Sequence, residues 1–128
     1  MSAHDAEVTL RQIVELCDKG LDLRASMTRE EFRSDWRNQM LGERVVEVLG
    51  EAVKRLPEEL RDRHPDVPWR KVAGTRDYIA HGYESVDYDV IWGVLDQEVA
   101  KLKEAVAAIL SAEFPAPPPT ASSPKPPG

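Results

Sequence analysis

Apolar residues recur at helical spacing along most of the chain, and this periodicity is the feature that most constrains the fold. In the first segment they fall at i, i+3, i+4, i+7 and i+11, on one face of a helix: Leu10, Ile13, Val14, Cys17 and Leu21. No stretch alternates with the period of two that is typical of strands. The sequence therefore predicts an all-α protein.

A second helix is predicted to begin at Thr28, where Thr28 and Glu31 form a capping box. Apolar positions continue from there for roughly seven turns, until Pro57 ends or kinks the helix. Its expected stripe is Phe32, Trp36, Met40, Leu41, Val45, Val48, Leu49, Ala52, Val53 and Leu56. Gly42 and Gly50 lie inside this segment, each at a cost of ~1 kcal/mol against alanine. They indicate close packing of another helix or a partner, or a bend.

Two further helices follow. One is expected to begin at Pro68, which suits the first helical position, and to stop at Gly82. The other begins near Ser85 or Asp87 and carries an apolar stripe from Ile91 to Ile109. Four amphipathic helices with short connections predict an up-and-down antiparallel four-helix bundle, with a short extra helix over residues 58–63.

The composition of the chain changes after Phe114, because residues 115–128 hold seven of the ten prolines. Such a segment has too little apolar surface to fold. We therefore expect a helical domain over residues 1–113 and a disordered, proline-rich tail over residues 114–128.

Charge is spread unevenly over an acidic chain of net charge −6. Residues 54–76 carry seven Lys and Arg against four acids, whereas residues 77–113 carry two Lys against eight acids. The overall charge argues against non-specific coating of nucleic acid. A local basic cleft on an acidic body fits the pattern, and so does a set of helix faces that are simply solvated.

Four features that the sequence lacks bear on its compartment and on bound metal. No apolar run approaches the ~18–20 residues that span a bilayer, and the N-terminus lacks the order of a signal peptide. The single Cys17 cannot form an internal disulfide, and no Cys/His cluster has the spacing of a zinc site. We expect a cytoplasmic protein with no metal or cofactor.

The residues that carry chemistry lie together in Arg76-Asp77-Tyr78-Ile79-Ala80-His81-Gly82-Tyr83. An imidazole can exchange protons near neutral pH, and a guanidinium can hold a phosphate. Arginine, histidine and tyrosine near a helix end are also common as caps and surface groups. Residues five apart in a helix are rotated by about 140°. Arg76 and His81 therefore converge only if the helix ends near His81 or if a symmetry mate supplies one of them.

The motif and its surroundings resemble the HepT-like group of HEPN ribonucleases over residues 10–110. The matching segments are Leu49-Gly50-Glu51-Ala52, Leu56-Pro57, Val67-Pro68-Trp69, Arg76 to Tyr83, Val86-Asp87 and Ile91-Trp92. This resemblance implies a HEPN-like bundle and a homodimer in which two motifs face one cleft. Asp77 departs from the pattern, because relatives often carry an Asn or another polar residue there, and it lessens the local positive charge.

The resemblance also implies roles for individual residues. Arg76 would hold the scissile phosphate of an RNA substrate, and His81 would move a proton at the ribose 2′-hydroxyl or the leaving 5′-oxygen. The expected product is a 2′,3′-cyclic phosphate. Glu51 is expected to orient Arg76, although a purely structural salt bridge is equally consistent, and Asp77 is grouped with it as a supporting residue.

Tyr83 has a separate implied role as the acceptor of AMP from an MntA-like nucleotidyltransferase antitoxin, unless it is a structural tyrosine. Two function classes follow. The first is an endoribonuclease toxin of a toxin–antitoxin system that is silenced at Tyr83. The second is a non-catalytic HEPN module that binds a nucleotidyltransferase or nucleotides.

Overall fold

A computed structural model describes residues 2–82 and 85–117 of the chain. These residues form helices and contain no strand, which confirms the all-α prediction. The helices are α1 (Ala3–Ala25), α2 (Arg29–Ser34), α3 (Trp36–Arg55), α4 (Glu58–Asp62), α5 (Trp69–Gly82), α6 (Tyr88–Gly93) and α7 (Val99–Glu113). A π-helical segment, Val94–Glu98, joins α6 to α7 without a break.

The core is the contiguous apolar surface where four long elements meet. Helix α1 packs on α3 and α7, and α3 packs on α5. Most residues of the predicted stripes of the first and last helices are buried as expected, with Leu10, Ile13, Cys17, Ile91 and Leu102 fully inaccessible; Val14 and Leu21 are half-buried. The expected HEPN-like helical bundle is confirmed, and α4 is the short extra helix.

The prediction of one uninterrupted helix from Thr28 to Leu56 was wrong. Thr28 does form the capping box with Glu31, but the helix stops at Ser34 because Asp35 adopts an extended conformation, with φ −123° and ψ 114°. The Asp35 carboxylate then accepts from the Arg37 amide at 2.9 Å and caps a new helix. A side-chain cap therefore replaces the continuing backbone ladder.

This break also corrects the predicted apolar stripe at its N-terminal end. Phe32 is fully buried, but Trp36 and Met40 are each 60% exposed and Leu41 is 54% exposed. Farther along the stripe, Val45 and Val48 are half-buried, and Leu49, Ala52, Val53 and Leu56 are buried. Because the backbone is extended at Asp35, the helical repeat is interrupted, and α2 and α3 do not present the single face that one long helix would have.

The two glycines of α3 are contact points between helices, as one of the sequence interpretations required. A Cβ added to Gly42 would lie 2.9 Å from the Phe32 ring and 3.1 Å from Leu95, and one added to Gly50 would lie 2.3 Å from the Cβ of Arg76. Helix α5 therefore lies directly on the backbone of α3 at Gly50.

Helix α5 begins one residue later than predicted. The Pro68 carbonyl accepts the Val72 amide at 3.2 Å, so Pro68 occupies the cap position and Trp69 is the first helical residue. Asp87, rather than Ser85, caps α6 by accepting from the Asp89 amide at 2.9 Å. Residues 118–128, which make up most of the predicted tail, lie outside the described part of the chain.

Candidate active site

The motif lies on the C-terminal half of α5, which remains helical through His81 and Gly82. Helix α5 ends at Gly82, as the sequence predicted, but His81 is still helical, so this helix end does not bring Arg76 and His81 together within one chain. The two residues differ by about 140° around the helix axis. Arg76 faces α3, whereas His81 is exposed to solvent.

Arg76 is held between the backbone of α3 and two carboxylates. Its Nη2 lies 3.4 Å from Glu51 Oε1, and its Nη1 lies 3.5 Å from Asp77 Oδ1. The side chain is 28% exposed, and its Nε is buried without a hydrogen-bond partner among the described residues. The guanidinium is thus positioned on the side of α3, with one carboxylate near each of its two terminal nitrogens.

Asp77 links the two helices electrostatically. Its carboxylate accepts from Lys54 Nζ at 2.7 Å, and this hydrogen bond holds the pKa of Asp77 below its usual range, with a further contribution from the charge of Arg76. Asp77 is therefore ionised at neutral pH and offsets part of the positive charge of Arg76. This agrees with the lower local positive charge expected from an acid at this position.

Lys54 belongs to the same cluster, although the sequence pattern placed it only in the basic segment of residues 54–76. It follows Gly50 by four residues and Glu51 by three, so all three share the face of α3 that meets α5. This spacing was visible in the sequence, but only the packing of α5 on Gly50 shows which residues face the motif.

His81 is fixed through its own helix. Its Nδ1 lies 2.8 Å from the Asp77 carbonyl oxygen, and since a carbonyl can only accept, Nδ1 carries the proton of this bond. In the neutral ring, Nε2 then holds the lone pair and is the nitrogen that can take a proton. An exposed ring with a defined tautomer has the arrangement that a general base needs.

The motif tyrosine, Tyr83, lies outside the described residues. Tyr78, five residues earlier in the sequence, accepts from the Asp87 amide at 2.7 Å and thereby ties the start of α6 to α5. Tyr88 packs edge-on against Phe32, with ring centroids 6.3 Å apart. Both tyrosines therefore make contacts within the fold.

Within residues 2–82 and 85–117, no three His, Cys, Asp or Glu side chains cluster in an arrangement that could hold a metal ion. In the same part of the chain, every helix is too short or too polar to cross a membrane.

The model of the family described as "Ribonuclease HepT-like" matches residues 7–109. The chain belongs to this HepT-like family. The resemblance carried by the motif and its flanking segments is thus confirmed over most of the described helices, and α5 with Arg76 and His81 lies inside the matched region.

Several curated relatives of this HepT-like protein have names that agree with the family. A protein of Caldanaerobacter subterraneus named "Putative RNase" is 36% identical over 81% of this chain and 93% of its own length. A protein of Methanocaldococcus jannaschii with the same descriptor is 32% identical over 86% and 91%. The "Probable ribonuclease HepT" of Thermococcus cleftensis is 36% identical over 58% and 67%. No solved structure matches the chain.

Proposed function

We propose that this HepT-like protein is an endoribonuclease that cleaves RNA through Arg76 and His81 without a metal ion. Membership of a ribonuclease family implies an RNA substrate. The observation that carries the proposal is the state of His81, which is exposed and whose Nδ1 is bonded to the Asp77 carbonyl at 2.8 Å. This bond fixes the ring through Nδ1 and leaves Nε2 available to a substrate.

The proposed reaction is an internal transesterification. His81 Nε2 removes the proton of a ribose 2′-hydroxyl, the 2′-oxygen forms a bond to the adjacent phosphorus, and the bond from phosphorus to the 5′-oxygen breaks. The leaving oxygen takes up a proton, which gives a 2′,3′-cyclic phosphate and a 5′-hydroxyl. Arg76 stabilises the charge on the non-bridging phosphate oxygens through the exposed part of its side chain, which is 28% of its surface.

We further propose that the active unit is a homodimer with two motifs facing one cleft. In one chain, helix α5 separates Arg76 and His81 by about 140° of rotation, so a single motif does not bring both groups to the same phosphate. A second copy related by a two-fold axis supplies the complementary group. The same symmetry provides one imidazole as base and another as acid.

Regulation is proposed to occur at Tyr83, two residues after His81. Transfer of AMP from a nucleotidyltransferase antitoxin to its phenol adds bulk and negative charge beside the motif, which repels RNA. In this scheme the protein is the toxin of a toxin–antitoxin pair.

The second candidate, a non-catalytic module that binds a nucleotidyltransferase, is favoured by a different observation. Arg76 lies within 3.5 Å of two carboxylates, Glu51 and Asp77. Their charge opposes phosphate binding at the guanidinium. A module of this kind would bind its partner without cleaving RNA.

The decisive experiment compares wild type with His81→Ala, with His4→Ala as the matched control, because His4 is also exposed but lies on α1. Each protein is purified, its mass is checked for added AMP, and unmodified protein is incubated with total RNA in the presence of a chelator. We expect fragments ending in cyclic phosphate for wild type and His4→Ala, and intact RNA for His81→Ala. Intact RNA with unmodified wild type would favour the binding module instead.

A further inference from the structure

A cleft of about 730 Å³ opens beside the motif, between the C-terminal end of α3, helix α4 and the first three turns of α5. Its walls include Lys54, Arg61, Trp69, Arg70, Gly74 and Asp77. It corresponds to the basic segment of residues 54–76, for which the sequence allowed either a basic cleft or solvated faces. The structure brings three cations of that segment together on one surface.

The cations of this cleft differ in how they are paired. Lys54 is bonded to Asp77 at 2.7 Å. Among the described residues, neither Arg61 nor Arg70 has a carboxylate within 4.0 Å, although Asp62 also lines the cleft. The Nε of Arg61 is buried and has no hydrogen-bond partner there. No carboxylate of the described residues therefore balances the charge of either arginine, and an anionic ligand in the cleft would do so.

The α5 wall of the cleft leads directly to the motif histidine. Arg70, Gly74 and His81 recur at i, i+4 and i+11, which places Arg70 and His81 within about 20° of each other around the axis and about 16 Å apart along it. Asp77 lies between them, and its carbonyl is the acceptor for His81. One continuous face of α5 thus runs from the unpaired arginine to the proposed general base.

Gly74 keeps this face open. A Cβ placed on Gly74 meets no atom within 4 Å, so the glycine is not needed for helix packing, in contrast to Gly50. Glycine in a helix interior costs roughly 0.5–1 kcal/mol relative to alanine. No close helix contact at Gly74 explains why a glycine is present despite this cost. The open space beside Gly74 would admit a strand of RNA that runs along α5.

We propose that this cleft binds the phosphate backbone of single-stranded RNA flanking the bond to be cleaved, with Arg61 and Arg70 as the phosphate contacts. The inference rests on the proposed function, since it assigns the cleft to the same substrate. It gives the arginines a binding role away from the reacting atoms. Their removal therefore raises KM and leaves kcat unchanged.

The test uses the full chain and a single-stranded RNA oligonucleotide whose 2′-hydroxyls are methylated, so that binding is measured without cleavage. Anisotropy titrations over a range of salt concentrations compare wild type with Arg70→Ala and with the Arg61→Gln/Arg70→Ala double variant. The matched control is Arg44→Ala, because Arg44 is highly exposed and lies outside the cleft. We expect about tenfold weaker binding for Arg70→Ala and a salt slope smaller by about 0.7 for each phosphate that is no longer bound.

A second pair of variants fills space without removing charge. Gly74→Gln places a side chain in the cleft, whereas Gly93→Gln makes the same change at another helical glycine with open space around its Cβ. We expect weaker RNA binding for Gly74→Gln alone, and equal or greater thermal stability for both. This pair keeps the inference testable even if removal of Arg61 disturbs the fold.

The outcomes separate this inference from the proposed function. Wild-type affinity and salt slope in the Arg70 and Gly74 variants would overturn the cleft assignment even if the protein cleaves RNA. Binding of AMP in the cleft with no binding of the oligonucleotide would also overturn it. Oligonucleotide binding that depends on Arg70, in a protein that fails to cut unmodified RNA, would support the cleft and contradict the nuclease.

Discussion

Gly50 and Arg76 approach so closely that no side chain fits between them: a Cβ on Gly50 would lie 2.3 Å from the Cβ of Arg76 and 3.1 Å from the Val72 carbonyl oxygen. The guanidinium of Arg76 reaches Glu51, the residue after this glycine. One close contact between α3 and α5 therefore sets both the packing of the bundle and the position of the motif arginine.

Gly50→Ala is expected to destabilise the protein by about 1–3 kcal/mol, the usual cost of overpacking, because α3 and α5 must separate. Since that movement displaces Arg76, RNA cleavage should fall even where the protein is folded. Urea denaturation and an RNA cleavage assay measure the two effects. Gly93→Ala is the control and should be neutral or stabilising, because its Cβ meets nothing within 4 Å. Equal stability of the two variants would contradict the close approach of α5 to Gly50.

Glu51 tests whether the acidic partner of Arg76 positions it. Its Oε1 lies 3.4 Å from Arg76 Nη2, and the pair is partly exposed, so removal of this ion pair should cost no more than about 1 kcal/mol of stability. We expect Glu51→Ala to lower kcat for RNA cleavage and Glu51→Gln, which keeps the acceptor oxygen, to restore much of it. A merely structural salt bridge would instead leave kcat unchanged in both variants.

Trp36 and Trp92 provide a direct check on the corrected course of α2 and α3. Trp36 is 60% exposed and Trp92 is 5% exposed. Trp92→Ala should therefore cost about 3–5 kcal/mol, whereas Trp36→Ala should cost less than about 1 kcal/mol, including its contact with the Arg37 guanidinium. Chemical denaturation at low protein concentration makes the comparison. A large Trp36 effect that appears only at high concentration would instead indicate burial in a homodimer.

Stability in acid should depend on Glu113 at the end of α7. Hydrogen bonds from Arg63 at 2.8 Å and His64 at 2.6 Å hold the pKa of Glu113 below its usual range. A carboxylate with a lowered folded pKa stabilises the protein above its unfolded pKa, and this contribution is lost as pH falls through the folded value. We expect Glu113→Gln to reduce the free energy of unfolding at pH 7 by about 0.5–1 kcal/mol.

The same variant should approach wild type as the pH falls into the range where Glu113 itself is protonated. Denaturation curves collected from pH 7 down to strongly acidic buffer measure the difference between the two proteins. A difference that stays constant with pH would show that the effect comes from packing and not from the charge. Glu104→Gln, at a carboxylate on the same helix, controls for general removal of negative charge.

Local patterns were enough to predict most of the helices. Periodicity located the buried stripes of α1 and of the last helix, because apolar burial follows the helical repeat directly. The capping box at Thr28 and the role of Pro57 were equally local. The break at Asp35 was missed because the apolar residues on either side of it keep helical spacing. That spacing does not reveal that the Asp35 side chain ends one helix and caps the next.

The motif was also found in the sequence, together with its resemblance to the HepT-like family. The relative positions of Arg76 and His81 could not be predicted from the sequence. Whether Arg76 and His81 meet depends on how far α5 continues, and α5 continues through Gly82. The roles of Lys54 and of the cleft beside it depend on which face of α3 receives α5, a matter of packing between two helices that are well separated along the chain.

The sequence by itself therefore determined the all-α class, the principal helices and the residues able to do acid–base chemistry, because these follow from short-range spacing and side-chain type. The tertiary structure alone decided that Gly50 is the contact point for Arg76, that Asp77 pairs with Lys54, and that Arg61 and Arg70 line one cleft. Those relationships arise when helices pack at close range, and packing is selected by the whole core rather than by any one segment.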